Sequence, residues 1–197
     1  MLVDLAPPPG LNRNGTEYGS KGQNTDGKFV RWNEGILQPM KGWSQLGTGL
    51  AGNPRNIHTW TDDDFAAFIG VGTHSGLYSS TSAGAITDRT PVGFTGNAEG
   101  IWTLGNLGET LYGCMDTDET IYSWQAGAAG VASAVANAPT ADAVVITEHG
   151  FVVALGAGGD PRVVRTSNLR QPTVWTPSST NQARSFTVQT NGKLMGG

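Results

Sequence analysis

An all-β fold made of short antiparallel strands is predicted by three features of this 197-residue sequence. The chain contains 29 glycines and only 14% charged residues, and Thr, Ser and Asn are frequent, a composition typical of proteins with many tight turns. Short apolar runs alternate with clusters of turn residues. In addition, the same plan of runs and turns recurs along the chain at a nearly constant interval.

The repeat has a period of 44 residues and covers residues 56–197. Two patterns recur at this spacing. One is a threonine with an apolar residue two positions earlier: Ile57/Thr59, Ile101/Thr103 and Val145/Thr147. The other is an apolar-Tyr-Ser triplet: Leu77-Tyr78-Ser79 and Ile121-Tyr122-Ser123. A period of about 40–50 residues with several short strands per unit is typical of β-propeller blades. We therefore predict about three propeller-like blades, at residues 56–99, 100–143 and 144–197. Closed propellers have about four to eight blades, so this arc is expected to be open or incomplete.

Three segments precede the repeats. Residues 1–27 are polar and contain Pro7-Pro8-Pro9-Gly10, which predicts an extended N-terminal arm lying over a surface, although a frayed terminus explains the same composition equally well. Residues 28–46 form a predicted β-hairpin whose turn is Asn33-Glu34-Gly35, because glycine allows the positive φ of a tight turn. Pro39 then marks an edge or a bulge. Residues 47–55 are glycine-rich and are predicted to be a linker.

Within the repeats, apolar runs predict the strands and turn residues separate them. In the first repeat the strands are Asn56–Thr61, Phe65–Val71 and Leu77–Ser80, with turns at Asp62-Asp63-Asp64 and His74-Ser75-Gly76. In the second they are Ile101–Leu104, Thr110–Met115 and Thr120–Trp124, with turns at Gly105-Asn106 and Asp116-Thr117-Asp118, and an irregular exit at Gln125–Ala138. In the third they are Val144–Thr147, Phe151–Leu155, Arg162–Thr166, Val174–Thr176 and Ser185–Gln189, with a turn at His149-Gly150 and a wide loop at Gly156–Pro161.

Charge and cysteine content narrow the classes of function. The net charge of −4 disfavours a protein that reads nucleic-acid sequence, because such proteins carry a basic stripe, but it suits a surface past which DNA slides. The single cysteine, Cys114, excludes an internal disulfide framework, and its apolar neighbours predict a buried side chain. No apolar run approaches about 18 residues and no signal peptide is evident, so we expect synthesis in the cytosol.

The residues that could bind a metal ion or phosphate, or act in catalysis, are better explained as turn residues. Asp62–Asp64 and Asp116–Glu119 could gather a hard cation, but both lie between predicted strands, where solvated turns are expected. The three histidines, His58, His74 and His149, are far apart in sequence. Gly156–Gly159 is followed by strand-like residues rather than by the helix that a phosphate loop needs. We therefore predict no catalytic, metal-binding or cofactor-binding residue, and expect that the protein is not an enzyme.

Large aromatic side chains are spread along the chain and predict a packed core. We expect seven of them to pack inside or between blades: Phe29, Trp32, Trp43, Trp60, Trp102, Trp124 and Trp175.

Three stretches of the chain resemble one protein family. They are LVDLAPPPGLNRNGTEY with KFVRWNEGILQPMKGW near the start, IWTLGNLGETLYGCMDTDETIYSW in the middle, and VVALGAGGDPRVVRTSNLRQPTVWTP with FTVQTNGKLMGG near the end. These stretches are similar to the propeller-containing tail proteins of tailed bacteriophages. The nearest functional label is the tail nozzle, packaged-DNA stabilisation or tail hub protein of short-tailed phages. Members are usually longer, which favours the interpretation that this chain is the N-terminal part of such a protein.

The resemblance implies a structural role in the virion, with no cofactor. Several copies, expected to be six, would form a ring below the portal and its adaptor, and DNA would leave through the central channel without sequence recognition. The protein would be made in the host cytoplasm and act in the phage tail. Candidate residues for gripping a neighbouring subunit lie in the N-terminal arm: Pro7, Pro8, Pro9, Arg13 and Tyr18.

An alternative from another class is a glycan-binding or glycan-cleaving propeller that recognises a host receptor. Exposed aromatic rings and carboxylates gathered on one face of the propeller would favour it. Paired carboxylates for glycoside hydrolysis are defined by their separation in space, which the sequence does not give.

Overall fold

The computed structural model describes residues 10–16, 18–40, 42, 44–189 and 192–194. The predicted interface residues Pro7, Pro8 and Pro9, and the predicted core residue Trp43, lie outside these ranges. The described residues form an all-β protein of four small antiparallel sheets and contain no α-helix. The chain divides into two compact units, Met1–Gln45 and Leu46–Gly197.

The first unit contains the predicted hairpin. Strands β1 (Val30–Asn33) and β2 (Ile36–Pro39) pair antiparallel. The two turn residues, Glu34 and Gly35, have φ of 51° and 78°, which is the conformation whose twist matches that of the flanking strands. Pro39 lies at the end of β2, where its missing N–H costs the two-stranded sheet little.

The described residues of the segment 10–27, which are 10–16 and 18–27, turn back on themselves rather than running extended as predicted. Leu11 and Asn24 form an isolated parallel bridge, and the backbone N–H of Asn12 donates to the carbonyl of Asn24 at 2.8 Å. An ion pair of 2.9 Å between Arg13 and Asp26 lies beside this bridge. These contacts bring the beginning of the segment, near Leu11, next to its end, near Asn24.

The second unit consists of three successive four-stranded sheets. In each sheet every strand pairs antiparallel with the next one along the chain. The first sheet contains β3 (Pro54–Thr61), β4 (Ala67–Thr73), β5 (Gly76–Thr81) and β6 (Ile86–Asp88). The second contains β7 (Trp102–Leu107), β8 (Thr110–Met115), β9 (Ile121–Gln125) and β10 (Ser133–Ala134). The third contains β11 (Ala143–Ile146), β12 (Val152–Leu155), β13 (Val163–Thr166) and β14 (Arg184–Thr187), with a 3₁₀ turn at Ala157–Gly159.

Three local predictions are wrong. Gly105-Asn106, predicted to be a turn, lies inside β7, and the chain reverses instead at Gly108-Glu109. Phe65, predicted to begin a strand, lies in the turn before β4 with φ of 62° and is 87% exposed. Val174–Thr176 is not a strand, although Trp175 is buried and its Nε1 donates to the carbonyl of Pro172 at 2.6 Å.

The 44-residue spacing aligns Thr59 with Thr103, but these two side chains do not point to equivalent sides of their sheets. Trp60 and Thr59 are neighbours in β3 and therefore point to opposite faces of the first sheet. Trp60 packs against the second sheet, so Thr59 points away from it. Thr103 lies opposite Cys114, which packs against the third sheet, so Thr103 points towards the next sheet. By contrast, Leu77 and Ile121 are both 1% exposed at the start of a third strand and keep the predicted equivalence.

Two hydrophobic clusters join the three sheets. The first interface, between the first and second sheets, is formed by Trp60, Phe68, Leu77, Trp102, Leu111, Met115, Tyr122, Trp124 and Ala132. The second interface, between the second and third sheets, is formed by Tyr112, Cys114, Ile121, Val135, Ala141, Val144, Val152, Ala154, Ala157 and Trp175. Burial of Trp60, Trp102, Trp124 and Trp175 is thus confirmed. Trp32 is half-buried, and the expectation for Phe29 is wrong because its ring is 81% exposed.

The first strands of the three sheets lie side by side and run in the same direction. Asn56 of β3 donates from Nδ2 to the carbonyl of Trp102 in β7 at 2.8 Å. Thr103 of β7 accepts at Oγ1 from the backbone N–H of Val144 in β11, also at 2.8 Å. In the described part of the chain the three sheets form an open series and do not close into a ring.

Candidate functional site

A groove of about 510 Å³ lies along the aligned first strands. The groove is lined by Arg55, Asn56 and His58 of β3, by residues 101–106, and by Val144, Val145 and Ile146 of β11.

A hydrogen-bonded pair crosses the groove between β3 and β7. His58 Nε2 lies 2.8 Å from Asn106 Oδ1. Asn106 Nδ2 donates to the carbonyl of Gly108 at 2.9 Å, which leaves Asn106 Oδ1 as an acceptor. Because an amide oxygen only accepts, His58 Nε2 is the donor in this hydrogen bond. The His58 ring also stacks on Trp60, with ring centroids 6.0 Å apart, so the imidazole is held from two sides.

The other polar groups of β3 also connect the first two sheets. Asn56 accepts at Oδ1 from the backbone N–H of Ile57 while its Nδ2 donates across to Trp102. The Arg55 guanidinium donates to the carbonyl of Ala98. Trp60 Nε1 donates to the carbonyl of Glu109 at 3.1 Å. These side chains therefore position neighbouring sheets, which is a structural use of the polar groups at the groove.

The acidic turns use their carboxylates to hold the backbone. Asp62 Oδ1 accepts from the backbone N–H groups of Asp64 and Ala66, at 3.0 and 2.8 Å. Asp116 Oδ1 accepts from the backbone N–H of Ile101 at 2.8 Å. Among the residues that the structure describes, no three His, Cys, Asp or Glu side chains are grouped so that they could hold a metal ion.

Asp118 links the second sheet to the segment that precedes it. Its Oδ1 accepts from both the backbone N–H and the hydroxyl of Thr95, at 2.7 and 2.6 Å, and its Oδ2 accepts from the Tyr122 hydroxyl at 2.6 Å. Burial raises the pKa of Asp118, but the hydrogen bonds from Thr95 and Tyr122 outweigh burial and lower it overall. Burial and the hydrogen bond to Asp118 raise the pKa of Tyr122 to about 12.

Cys114 is fully buried at the second interface. Its Sγ lies 3.1 Å from the carbonyl oxygen of Ala141, to which the thiol donates. Burial, reinforced by the charge of Asp118, raises the pKa of the thiol well above its ordinary value. The side chain is therefore a protonated packing group at neutral pH, as the sequence predicted for its burial.

Two of the five predicted interface residues are described, and both lie in the first unit. Tyr18 is 93% exposed. Arg13 is exposed and pairs with Asp26. Their ability to contact a neighbouring subunit stays a prediction.

A second cavity, which the sequence did not suggest, lies on the third sheet. It has a volume of about 380 Å³ and is lined mainly by apolar atoms. The only sequence signal for it was the alternation around Phe186, which indicated a strand without showing what its exposed side faces. The lining residues are Thr147, Phe151, Val153, Thr166, Gln182, Arg184, Ser185 and Phe186.

Comparisons with protein-family models, with curated proteins and with solved structures find no match to this chain. Within the described residues, no helix is long and apolar enough to span a membrane.

Proposed function

We propose that the three sheets are consecutive blades of a propeller-like arc, and that the protein is a structural component of a bacteriophage tail, of the nozzle or hub type. The observation that carries this proposal is the parallel alignment of the first strands β3, β7 and β11 across three sheets of the same topology. In a propeller, the first strands of successive blades lie next to each other around a central channel. The resemblance of three sequence stretches to tail proteins supplies the biological setting.

In the proposed role, sheet packing provides a rigid wall and the surfaces between copies provide assembly. Buried aromatic and aliphatic side chains fill both interfaces, which supports a rigid unit. His58 and Asn56 use their polar atoms to join β3 to β7. Copies of the chain, six in the proposed ring, would contact the portal or its adaptor and other tail proteins.

DNA would pass through the ring without being read. The net charge of −4 supports this part of the proposal, because weak repulsion limits binding to the phosphate backbone. We expect no measurable binding of duplex DNA by the isolated protein at about 150 mM salt. Sequence-specific binding at that salt concentration would contradict a passive channel.

The N-terminal segment is proposed to hold the neighbouring copy. Its exposed Tyr18 ring supports this, since exposed aromatic side chains are common anchors at protein interfaces. Deletion of residues 1–27 should lower the mass of the assembly measured by sedimentation velocity, while the circular dichroism of the sheets stays unchanged. The matched point variants are Tyr18→Ala, which should weaken assembly, and Arg13→Ala, which removes an exposed ion pair and should have a smaller effect. Unchanged assembly after the deletion would count against this role of the arm.

A direct test of the tail assignment is an electron microscopy reconstruction of an intact phage particle that contains the protein. The proposal expects density for this chain around the DNA exit channel, below the portal. Density at the tip of a receptor-binding fibre would instead support the glycan-binding alternative. That alternative has less support, because the described tryptophans of the second unit are buried at the interfaces and are not available for stacking on sugars. Specific binding on a glycan array would nevertheless overturn this ranking.

A further inference from the structure

Each of the first two sheets has one face that is covered by the next sheet. On the first sheet this face carries Trp60, Phe68 and Leu77, and on the second it carries Tyr112, Cys114 and Ile121. Most of the corresponding face of the third sheet is not covered by the described residues, although Ala143 and Val164 on this face are buried. We call it the open face and define it by Val145, Val153, Leu155, Thr166 and Phe186, which the strand register places on one side. The apolar cavity of about 380 Å³ lies on this face.

The first sheet has a complementary uncovered surface. We call it the leading face and define it by Ile57, Thr59, Ile69 and Val71, which lie opposite one another in β3 and β4 and point away from the first interface. Ile57 is 62% exposed, and Ile69 and Val71 are half-buried. Trp102 and Leu104 on the second sheet, and Val144 and Ile146 on the third, occupy the equivalent face of their sheets. In both of those sheets that face packs against the preceding sheet.

We propose that the open face binds the leading face of a second copy of this chain, and that the reverse contact forms at the same time. Two equivalent contacts related by a two-fold axis would then join the copies. This inference rests on the propeller-like arc of the proposed function. It adds that the arc is closed by contact between the open face of one copy and the leading face of another.

Continuity with the two existing interfaces favours a second copy as the occupant. The open face and the leading face are the two halves of an interface that the chain already builds twice, with first strands side by side. Both faces carry apolar side chains on their first and second strands, and these strands also contribute buried side chains to the existing interfaces. Uncovered apolar surfaces of this kind are typical of protein–protein contacts.

The number of described sheets fits two copies. Closed propellers use about four to eight blades, and the described residues of each copy supply three sheets of four strands. Two copies would together supply six such sheets, which lies within that range. A hexameric ring in the tail would then contain three such pairs, so the pair is a subassembly of the proposed function rather than a competitor to it.

The test uses the full chain and one substitution on each face. Ile57→Asp places a charge on the leading face, and Phe186→Asp places one on the open face, where the ring is 53% exposed. Val92→Asp is the matched control, because Val92 is 93% exposed in the loop after the first sheet. All three sites are exposed, so each variant should stay folded and keep the circular dichroism of the parent chain. Mass is measured by sedimentation equilibrium over a range of protein concentrations.

We expect the parent chain and Val92→Asp to form a dimer, and both face variants to dissociate at least about tenfold more readily. A mixture of Ile57→Asp with Phe186→Asp should recover dimer, because a mixed pair retains one contact between an intact open face and an intact leading face. A parent chain that stays monomeric overturns the proposal and assigns the faces to other chain segments or other proteins. A dimer that Ile57→Asp does not weaken also overturns it, since that result indicates contact between two open faces. Either negative result leaves the tail assignment to be judged by the particle reconstruction.

Discussion

The first and second interfaces join neighbouring sheets in the same arrangement, but they are built from different side chains. The first is aromatic: Trp60 stacks on Phe68 at 5.7 Å between ring centroids, and Trp124 meets both rings edge-on. The second is mostly aliphatic and contains small residues such as Ala154 and Cys114. Equivalent strand positions can therefore be filled by large rings in one place and by small aliphatic groups in another.

A glycine in each interface lets a side chain of the neighbouring sheet pack directly against the strand backbone. A Cβ at Gly72 would lie 2.3 Å from Cγ of Trp102, so the indole packs directly on the backbone of β4. A Cβ at Gly105 would lie 2.9 Å from Cγ1 of Ile146. The first contact involves a rigid ring, and the second involves a flexible aliphatic side chain. A glycine therefore keeps the spacing between sheets where a side chain of the opposite sheet packs against the strand backbone.

Removing the central ring should break the first interface. Trp102 is fully buried and its Nε1 donates to the carbonyl of Thr73 at 2.8 Å. Trp102→Ala should lower the free energy of unfolding by about 3–5 kcal/mol because it leaves a large cavity. Trp102→Phe keeps most of the ring and loses the hydrogen bond, so a smaller loss of about 1–2 kcal/mol is expected. Urea denaturation followed by fluorescence measures both, and equal losses would show that the cavity does not dominate.

Adding one methyl group at each interface should show which interface tolerates extra volume better. Gly72→Ala should lower the free energy of unfolding by about 1–3 kcal/mol, because neither the Trp102 ring nor the strand backbone can move far. Gly105→Ala should cost less, since Ile146 can change rotamer and alanine is better suited than glycine to a strand. Thermal denaturation of the two variants gives the difference. A larger loss for Gly105→Ala would reverse the assignment of which interface is more rigid.

Changing pH should affect the Asp118–Tyr122 contact beside the first interface. The pKa of Asp118 is lowered in the folded state, so its contribution is present above the unfolded pKa of about 4 and is lost as pH falls through the folded pKa. Asp118→Asn should therefore reduce the acid-induced decrease in melting temperature and should cost about 1 kcal/mol at neutral pH.

The same contact gives a signal in alkali. The pKa of Tyr122 is raised to about 12, so its contribution is complete below the ordinary pKa of about 10 and is lost as pH rises towards 12. An absorbance titration of the tyrosines should lose its step near pH 12 in Tyr122→Phe. Retention of that step in the variant would assign it to another tyrosine.

The smallest effect is expected at the ion pair near the second interface. Lys193 Nζ lies 3.0 Å from Asp142 Oδ1, and the lysine is half-exposed. Lys193→Ala should change the free energy of unfolding by less than about 1 kcal/mol, and added salt should shrink that change. A loss comparable with that of Trp102→Ala would mean that the pair has a larger role in joining the sheets than its exposure suggests.

The site was less predictable from sequence than the strands. His58 and Asn106 are separated by 48 positions, and no local pattern indicates that their side chains meet. The repeat of 44 residues brought β3 and β7 into correspondence, but Thr59 and Thr103, which it aligns, point to different sides of their sheets. The five-residue turn between β3 and β4 is longer than the two-residue turn between β7 and β8, and this difference in length disturbs the phase of the first strands.

The sequence alone determined the all-β class, most strand positions and the hairpin at Glu34-Gly35, because these follow from contacts between residues close in the chain. Only the tertiary structure decided whether a glycine ends a strand or lies within one: Gly105 stays in β7 and Ile146 packs against it from the next sheet. It also decided that Trp175 is buried outside any strand while Phe29 is exposed. Burial and register depend on what distant residues place on the opposite face, and local periodicity carries no information about that.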